Sequence, residues 1–228
     1  MAMFLLRPPG VYRPQGDTAL LAAAFRLIHL PRGARVLDVG TGTGVIAVIA
    51  AQRDGVRVTA VDRSLRAVLA ARFNTLIRGL EVRVVHGDLF APLAGEVFDL
   101  IVTNPPYVPG NAVPPPAHGR ARAWDAGLDG RRILDRICSL APAHLADGGS
   151  LLMVHSVLSD VEASLRRLGE AGLTASVVAR QRERFGPVMR AREESLRARG
   201  LLQPGDNDEE LVVIRADKSE YATGRYAA

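Results

Sequence analysis

The chain has 228 residues, a length that suits one α/β domain, alone or with a small appendage. Cys138 is the only cysteine, which excludes an intramolecular disulfide and a CxxC metal or redox site. The net charge of +5 and the pI of about 10.1 come almost wholly from arginine, since Lys218 is the only lysine. Arginine suits phosphate and RNA, but this excess is modest and is equally typical of ordinary solvated faces.

The N-terminal stretch 1–6 is apolar but too short for a signal peptide, and Arg7-Pro8-Pro9-Gly10 follows it at once. No segment approaches the roughly 18 apolar residues of a membrane span. Together with the single cysteine, these features predict a cytoplasmic protein without a membrane partner.

Strand-like and helix-like segments alternate along the chain, which is typical of a parallel sheet with crossover helices. In chain order we predict strands at 35–39, 56–61, 82–85, 98–102, 150–155, 175–179 and 211–214. Helices are predicted at 45–53, 65–78 and 131–145, from the capping box of Ser159 and Glu162 to Gly172, and at 188–199.

The helix at 65–78 has the clearest signals, with Ser64 as its cap and Gly79 at its end. Its apolar residues recur at helical spacing: Leu65, Val68, Leu69, Phe73, Leu76 and Ile77. The fold predicted from all segments is α/β and Rossmann-like: a seven-stranded, mostly parallel sheet with helices on both faces and an antiparallel last strand. We assign residues 1–217 to one domain with a helical insert at about 184–205, and 218–228 to a flexible tail.

Three glycines, Gly40, Gly42 and Gly44, lie between the first strand and the helix after it. Glycine lets the backbone turn sharply and approach a ligand closely, and ligands of such folds bind beyond the carboxyl ends of the strands. Asp38 precedes this loop by two residues, which suits a cationic methionine moiety better than a pyrophosphate. Asp62 ends the second strand, where an acid reaches ribose hydroxyls, and Asp88 follows the third strand, where it can accept from an adenine amino group.

The tetrapeptide of Asn104, Pro105, Pro106 and Tyr107 directly follows the apolar run 98–103. The Asn104 side-chain oxygen and a proline-locked carbonyl can accept both N–H bonds of a planar NH2 group and aim its lone pair. Tyr107 offers a flat wall for stacking. No general base is needed before methyl transfer, because the proton can leave afterwards. As a lone motif the tetrapeptide is also good turn chemistry; beside the glycine loop it indicates catalysis.

These motifs resemble the class I S-adenosylmethionine-dependent methyltransferases, and within them the HemK-like family, which methylates the glutamine of the GGQ motif in peptide-chain release factors. The resemblance runs from about residue 11 to 214. Residues 11–18 are similar to the family's Y-x-P-x-E-D-T motif, with Gly16 in place of an acid, and 124–130 are similar to its segment after the catalytic motif. The resemblance implies that S-adenosylmethionine is bound, without a metal, by Asp17, Thr18, Asp38, Gly40, Thr41, Gly42, Gly44, Asp62, Arg63, Asp88, Leu89 and Asn104.

Two features set the chain apart from the bacterial release-factor enzymes. It begins almost at the fold, without their N-terminal helical domain, and in this it resembles the short branch of archaea and eukaryotes that works with a small zinc-binding activator. An edge strand at 82–85 is one docking place for such a partner, although a buried strand fits the sequence equally well. The insert is either a lid, a docking helix or a solvated helix with a Glu193–Arg197 pair.

Three other functions remain compatible with the sequence. An N-methyltransferase of adenine N6 or guanine N2 in nucleic acid would use the same catalytic motif, but no base-recognition domain is evident. A small-molecule N-methyltransferase would explain the missing docking domain. A non-enzymatic scaffold that binds the cofactor is disfavoured by the intact motif at 104–107. The release factor is the preferred protein substrate, and nucleic acid is a partner through the ribosome or as an alternative substrate.

Overall fold

The computed structural model describes residues 4–110 and 126–220, so residues 124 and 125 of the family-like segment and residues 221–228 of the predicted tail lie outside the described residues. Seven strands and six α-helices alternate along it. The strands are β1 Arg35–Val39, β2 Arg57–Asp62, β3 Val82–His86, β4 Phe98–Thr103, β5 Leu145–Ser156, β6 Leu173–Arg184 and β7 Asp208–Lys218. The helices are α1 Gly16–Leu27, α2 Val45–Ala51, α3 Leu65–Leu76, α4 Arg132–His144, α5 Val161–Glu170 and α6 Pro187–Ala198. No helix in these ranges is long and apolar enough to cross a membrane.

All seven strands form one sheet in the order β3-β2-β1-β4-β5-β7-β6. The first five pair in parallel, and β7 inserts antiparallel between β5 and β6, which confirms the predicted architecture. The chain winds outward from β1 in one direction and from β4 in the other. The carboxyl ends of β1 and β4 therefore bound the crevice in which ligands of open α/β sheets bind.

The last two strands of the chain, β6 and β7, are longer than predicted. Strand β6 pairs with β7 over eleven partners, from Leu173 opposite Lys218 to Arg184 opposite Asp208. Exposed residues alternate with half-buried ones along β6. Because many of its residues are polar, a search for apolar runs finds only part of this strand. Lys218 is the last residue of β7, so the strand extends one residue into the predicted tail.

Helix α1 is absent from our sequence prediction. It packs on β5, β6 and β7, and its Leu21 and Phe25 side chains are fully buried. The sequence 16–27 is rich in alanine and begins at Gly16, so it has a weak apolar periodicity and no Ser, Thr, Asp or Asn cap. This helix carries Asp17 and Thr18 in its first turn.

Helix α3 is confirmed, but the face that packs on the sheet is not the one with the large apolar residues. Its buried side chains are small or polar: Ala67, Val68, Ala70, Ala71, Asn74 and Thr75. Most of the large ones are exposed, and we call four of them the α3 stripe: Leu65, Leu69, Phe73 and Leu76. Helical spacing thus predicted the element correctly, and the structure shows that most of its large apolar residues are exposed.

The predicted N-cap is correct for α3 and wrong for α5. The Ser64 hydroxyl accepts from the Ala67 backbone N–H at 3.4 Å, which confirms it as the cap of α3. The predicted capping box at α5 is wrong, because Asp160 is the cap and accepts from the Ala163 N–H at 3.0 Å. The Ser159 hydroxyl donates instead to the carbonyl of Tyr107 at 2.7 Å.

Candidate active site

The glycine loop is fastened to the neighbouring strand by backbone hydrogen bonds. The N–H groups of Gly40 and Thr41 both donate to the carbonyl of Val61, at 2.9 and 3.0 Å. Gly40, Gly42 and Gly44 all have positive φ, of 71°, 57° and 81°. These three left-handed glycines turn the chain from β1 into α2. A residue with a side chain would be strained in the same backbone conformation.

Asp38 closes the base of this loop. Its Oδ2 accepts from the Thr41 hydroxyl at 2.6 Å and from the Ala47 N–H at 3.1 Å. The side chain is buried, and burial raises the pKa of Asp38 to about 7, against the lowering effect of these two hydrogen bonds. A cation placed beside this carboxyl would therefore favour its ionised form.

Asp62 joins the glycine loop to the start of α3. It accepts from the Gly42 N–H at 2.9 Å and from the Ser64 N–H at 2.8 Å, one bond on each carboxylate oxygen. Burial raises its pKa. Arg63 follows it, and the Arg63 carbonyl lies 3.0 Å from the His86 ring nitrogen Nε2. Each Asp62 oxygen retains a lone pair for an approaching pair of hydroxyl donors.

Asp88 and Leu89 follow β3 at the same edge of the sheet. Arg136 of α4 holds the Asp88 carboxylate, with its Nη2 2.7 Å from Oδ2. An adenine amino group would therefore share this acceptor with an arginine, so that role of Asp88 stays a prediction. Leu89 has φ 52°, one of two non-glycine residues with positive φ in the described ranges. The other is the helix cap Asp160, so the cofactor-binding role of Leu89 stays a prediction.

Two glycines of the loop allow a matched test. A Cβ on Gly44 would lie 2.9 Å from both Cα and Cβ of Ala71, whereas a Cβ on Gly40 would meet nothing within 4 Å. We expect Gly44→Ala to lower the free energy of unfolding by about 2–4 kcal/mol, from left-handed strain plus overpacking. Gly40→Ala should cost only about 1–2 kcal/mol in stability.

Cofactor affinity should respond in the opposite order, with Gly40→Ala having the larger effect. Because the space beside Gly40 is open, a methyl group there would enter the crevice, and we expect Gly40→Ala to weaken S-adenosylmethionine binding about tenfold or more. Chemical denaturation and titration calorimetry measure the two quantities. Equal destabilisation by both variants would contradict the packing argument, and unchanged affinity of Gly40→Ala would contradict a ligand above the loop.

The Asn-Pro-Pro-Tyr segment leaves the end of β4 next to this loop. Thr103, the last residue of β4, donates its hydroxyl to the Val39 carbonyl at 2.9 Å and so fixes β4 beside β1. Asn104 is half-buried, and its Nδ2 donates to the Thr18 hydroxyl at 3.2 Å. Pro105 is buried and Pro106 half-buried. The segment therefore lies at the crevice between the glycine loop and α1.

Tyr107 is held at both its backbone and its hydroxyl. Its ring is only 7% exposed, and its hydroxyl donates to Asp17 Oδ2 at 3.2 Å. Its carbonyl accepts from Ser159 and lies only 2.1 Å from where a Cβ on Gly130 would be, so position 130 requires glycine. The predicted stacking wall is thus a fixed ring with little exposed face.

The structure places Asp17 and Thr18 against the catalytic motif. Asp17 is buried and accepts from the Tyr12 hydroxyl at 2.8 Å as well as from Tyr107. Thr18 contacts both Asp17 and Asn104. Tyr12 was quoted in the sequence motif but not predicted as a site residue. The contact between positions 17 and 107 spans 90 residues, and no local pattern reveals it.

Gly16 stands where the related motif has an acid, and a carboxylate from elsewhere occupies this place. A Cβ on Gly16 would lie 2.3 Å from Oε2 of Glu183, near the end of β6. Glu209 of β7 lies nearby and is half-buried, and its buried Oε2 has no hydrogen-bond partner among the described residues. The acid missing from the motif is therefore replaced in space by Glu183 on a different strand.

Glu209 makes stability depend on pH. Burial, and then the charges of Asp17 and Glu183, raise its pKa from 4.5 to about 7. The folded protein thus holds this proton more tightly than the unfolded chain, and stability is lost as pH rises from about 4.5 to 7. We expect Glu209→Gln to be more stable than the wild type at pH 8 and close to it at pH 4.5. Denaturant titrations at both pH values test this.

The neighbouring Glu210→Gln is the control for that titration, because Glu210 pairs with Arg180 at the surface. Its effect should be small and nearly constant with pH. A constant difference between Glu209→Gln and the wild type across the same range would show that Glu209 titrates normally in the folded protein.

The insert helix α6 contacts the chain that follows the catalytic motif. Arg192 donates to the Pro109 carbonyl at 2.6 Å, and Arg199 donates to the carbonyls of Gly110 and Leu128 at 3.1 and 2.6 Å. The Glu193–Arg197 pair is present at 2.8 Å. The solvated-helix interpretation therefore holds for the Glu193–Arg197 pair, while Arg192 and Arg199 bind the chain that follows the catalytic motif.

Comparison with known proteins agrees with this geometry. The Methyltransferase small domain family matches residues 5–183, and the chain belongs to this family. It is a methyltransferase, as the sequence motifs predicted. Similarity to a putative protein N5-glutamine methyltransferase of Methanocaldococcus jannaschii reaches 31% identity over 79% of this chain and 90% of that protein.

The bacterial relatives are longer. The release factor glutamine methyltransferase of Deinococcus radiodurans is 40% identical over 63% of this chain, a match that spans only 52% of its own length. Among solved structures, the E. cuniculi Mtq2-Trm112 complex, which methylates the termination factor eRF1, matches with a TM-score of 0.64 and 25% identity over 92% of this chain and 99% of that one. The T. thermophilus rRNA methyltransferase RsmC, solved with AdoMet and guanosine, has a TM-score of 0.56 and 25% identity over 91% of this chain and 44% of its own.

Proposed function

We propose that this protein transfers a methyl group from S-adenosylmethionine to the side-chain amide of the GGQ glutamine in a peptide-chain release factor. The observation that carries this proposal is the position of Asn104. Its amide nitrogen is hydrogen-bonded to Thr18, and that is the only side-chain bond of Asn104 within the described residues. Its oxygen is therefore available to accept an N–H of a planar amide beside the glycine loop.

The crevice fits S-adenosylmethionine in three respects. The space beside Gly40 is open to a ligand, Asp62 has acceptor capacity for ribose hydroxyls, and the Asp38 carboxyl suits a cationic amino acid moiety. Thr41, Gly42 and Gly44 shape the loop, and Arg63, Asp88 and Leu89 border the predicted adenine side. The cofactor supplies an electrophilic methyl group on sulfur.

The protein has to make a poor nucleophile reactive. An amide lone pair is delocalised, so orientation and stabilisation of developing positive charge on the nitrogen are what the site can contribute. The Asn104 oxygen and the carbonyl of Pro105 are the proposed acceptors for the two N–H bonds. Tyr107, fixed by Asp17 and Ser159, holds the end of the Asn-Pro-Pro-Tyr segment in place. The extra proton leaves after transfer.

Intact-mass analysis tests this proposal. Purified release factor is incubated with the protein and S-adenosylmethionine, and a gain of one methyl group on the GGQ glutamine is expected. A release factor with that glutamine changed to asparagine should gain none, because its amide is one methylene too short to reach the site. The assay is run with and without the activator protein proposed below, and bound cofactor without methylation of the native release factor in both would overturn the substrate assignment.

A small activator protein is the second proposed partner, and the exposed edge of the sheet is its proposed docking place. Within the part of the chain that the structure describes, strand β3 is the outermost strand and pairs only with β2. Helix α3 joins these two strands, and its α3 stripe is exposed, with Leu76 at 76% and Leu69 at 63%. An exposed apolar stripe beside the open edge of an outermost strand is the surface that a strand-adding partner covers.

The complex of Mtq2 with Trm112 supports this occupant. Arg66 and Arg72 flank the α3 stripe at helical spacing, so the partner should place apolar side chains at its centre and carboxylates at its rim. Titration calorimetry with a purified Trm112 protein should show binding that Leu69→Glu abolishes. Leu27→Glu, at an exposed leucine at the end of α1, should bind like the wild type. Equal affinity of all three would refute this docking place.

Guanine N2 methylation in RNA is the second candidate function. The similarity to RsmC and the pI of about 10.1 favour it. RNA affinity that falls steeply with salt, together with methylation of RNA and not of release factor, would establish this candidate in place of the first.

A further inference from the structure

Asp17 is the acceptor at the centre of a hydrogen-bonded cluster beside the catalytic motif. Its Oδ1 accepts from the backbone N–H of Thr18 at 2.5 Å and from the Thr18 hydroxyl at 3.1 Å. Its Oδ2 accepts from the hydroxyls of Tyr12 and Tyr107. It lies in the first turn of α1, where the helix dipole favours a negative charge. Four donors thus converge on one buried carboxylate.

The direction of each bond follows from counting protons. A carboxylate has no proton to donate, and a threonine hydroxyl has one. The Thr18 proton goes to Asp17, because a charged acceptor binds it more strongly than a neutral amide oxygen does. Toward Asn104 the Thr18 oxygen can then only accept. The group of Asn104 that faces it must therefore be the donor, Nδ2, as the 3.2 Å contact has it.

We propose that Thr18 is a positioning residue that fixes the orientation of the Asn104 amide, with Asp17 as the residue that imposes the direction of the bond. This inference rests on the proposed N-methyl transfer. Oxygen and nitrogen of an asparagine amide have nearly the same shape, so packing alone hardly distinguishes the two orientations. In the wrong orientation Asn104 would present a donor to the N–H of the acceptor group, and the acceptor nitrogen would not be aimed.

This role differs from the cofactor-binding role that the sequence resemblance implies for Thr18, and kinetics separate the two. Thr18→Val keeps the shape and removes the hydroxyl. We expect kcat to fall about five- to tenfold, the equivalent of one neutral hydrogen bond, with KM for the substrate and Kd for S-adenosylmethionine within about twofold of the wild type. Thr18→Ser, which restores the hydroxyl, should recover most of the loss. A weaker cofactor Kd at unchanged kcat would overturn the proposal in favour of cofactor binding.

A second readout does not depend on the substrate. In the protein without any ligand, the side-chain amide protons of Asn104 can be followed by NMR and assigned by their loss in Asn104→Asp. Slow solvent exchange is expected in the wild type and in Thr18→Ser, and faster exchange in Thr18→Val. Equal exchange rates in wild type and Thr18→Val would refute the contact. Absence of release factor methylation would leave this measurement intact, so failure of the proposed function and failure of this inference are distinguishable.

Discussion

Asn104→Ala is expected to lower kcat for methyl transfer by about 10²- to 10³-fold, the range seen when one preorganised polar contact to a transition state is removed. The side chain lies at the end of β4, held by Thr18, with its oxygen as the proposed acceptor from the reacting amide. Alanine leaves the acceptor nitrogen free to rotate away from the methyl group. Single-turnover methylation of purified release factor, followed by intact mass, measures this loss.

The same variant should be folded and should bind the cofactor with little change. Asn104 is only half-buried, so its truncation removes few contacts. Asn104→Gln is the stricter comparison: it keeps the amide but moves it by one methylene, and it should be nearly as inactive as alanine if position is what matters. Activity of Asn104→Ala within a few-fold of the wild type would mean that the methyl acceptor is positioned elsewhere.

The residues at the carboxyl ends of the strands, where the site lies, could be predicted from the sequence because the patterns that mark strand ends are local. An apolar run that ends in a glycine or an acid marks a strand end, and parallel strands place their carboxyl ends together. Asp62 ends β2 and Asn104 follows β4, and these two strands flank β1 in the sheet. Spacing along the chain was therefore enough to gather these residues at one crevice.

The support behind the catalytic motif could not be predicted in this way, because its contacts are made between distant parts of the chain. Asp17 binds Tyr107, and Glu183 of β6 occupies the place that an acid at Gly16 would take. A sequence motif records that an acid is missing at one position, but only the packing of α1 on β6 shows what replaces it. The hydrophobic periodicity of a sequence gives no sign that one carboxylate accepts hydrogen bonds from distant residues.

The orientation of α3 could not be predicted from the spacing of its apolar residues. Helical spacing of large apolar residues is normally read as a buried face, since burial of such side chains drives folding. Here Ala67, Ala70 and Ala71 let α3 lie close to the sheet, and Asn74 donates to the Thr43 carbonyl beneath it at 2.9 Å. The large residues are left for another surface, which is why a partner is proposed there.

Asp62→Ala is expected to weaken S-adenosylmethionine binding by about 10²- to 10⁴-fold. Two hydrogen bonds from ribose hydroxyls to a carboxylate are worth about 1.5–3 kcal/mol each when the acceptor is charged, and alanine removes both. It also releases the Gly42 N–H, so the glycine loop loses one of its fixed points. Titration calorimetry with S-adenosylmethionine measures the change in Kd.

Ser64→Ala is the matched control for that loss. Its hydroxyl caps α3 at the same turn, so its removal should destabilise the helix start by about 1 kcal/mol without removing a ribose acceptor. If Ser64→Ala weakened cofactor binding as much as Asp62→Ala, loop order rather than the carboxylate would govern affinity. If Asp62→Ala bound the cofactor normally, the ribose would have to lie away from the end of β2. The expected result, a large change for Asp62 and a small one for Ser64, would identify Asp62 as a direct cofactor contact.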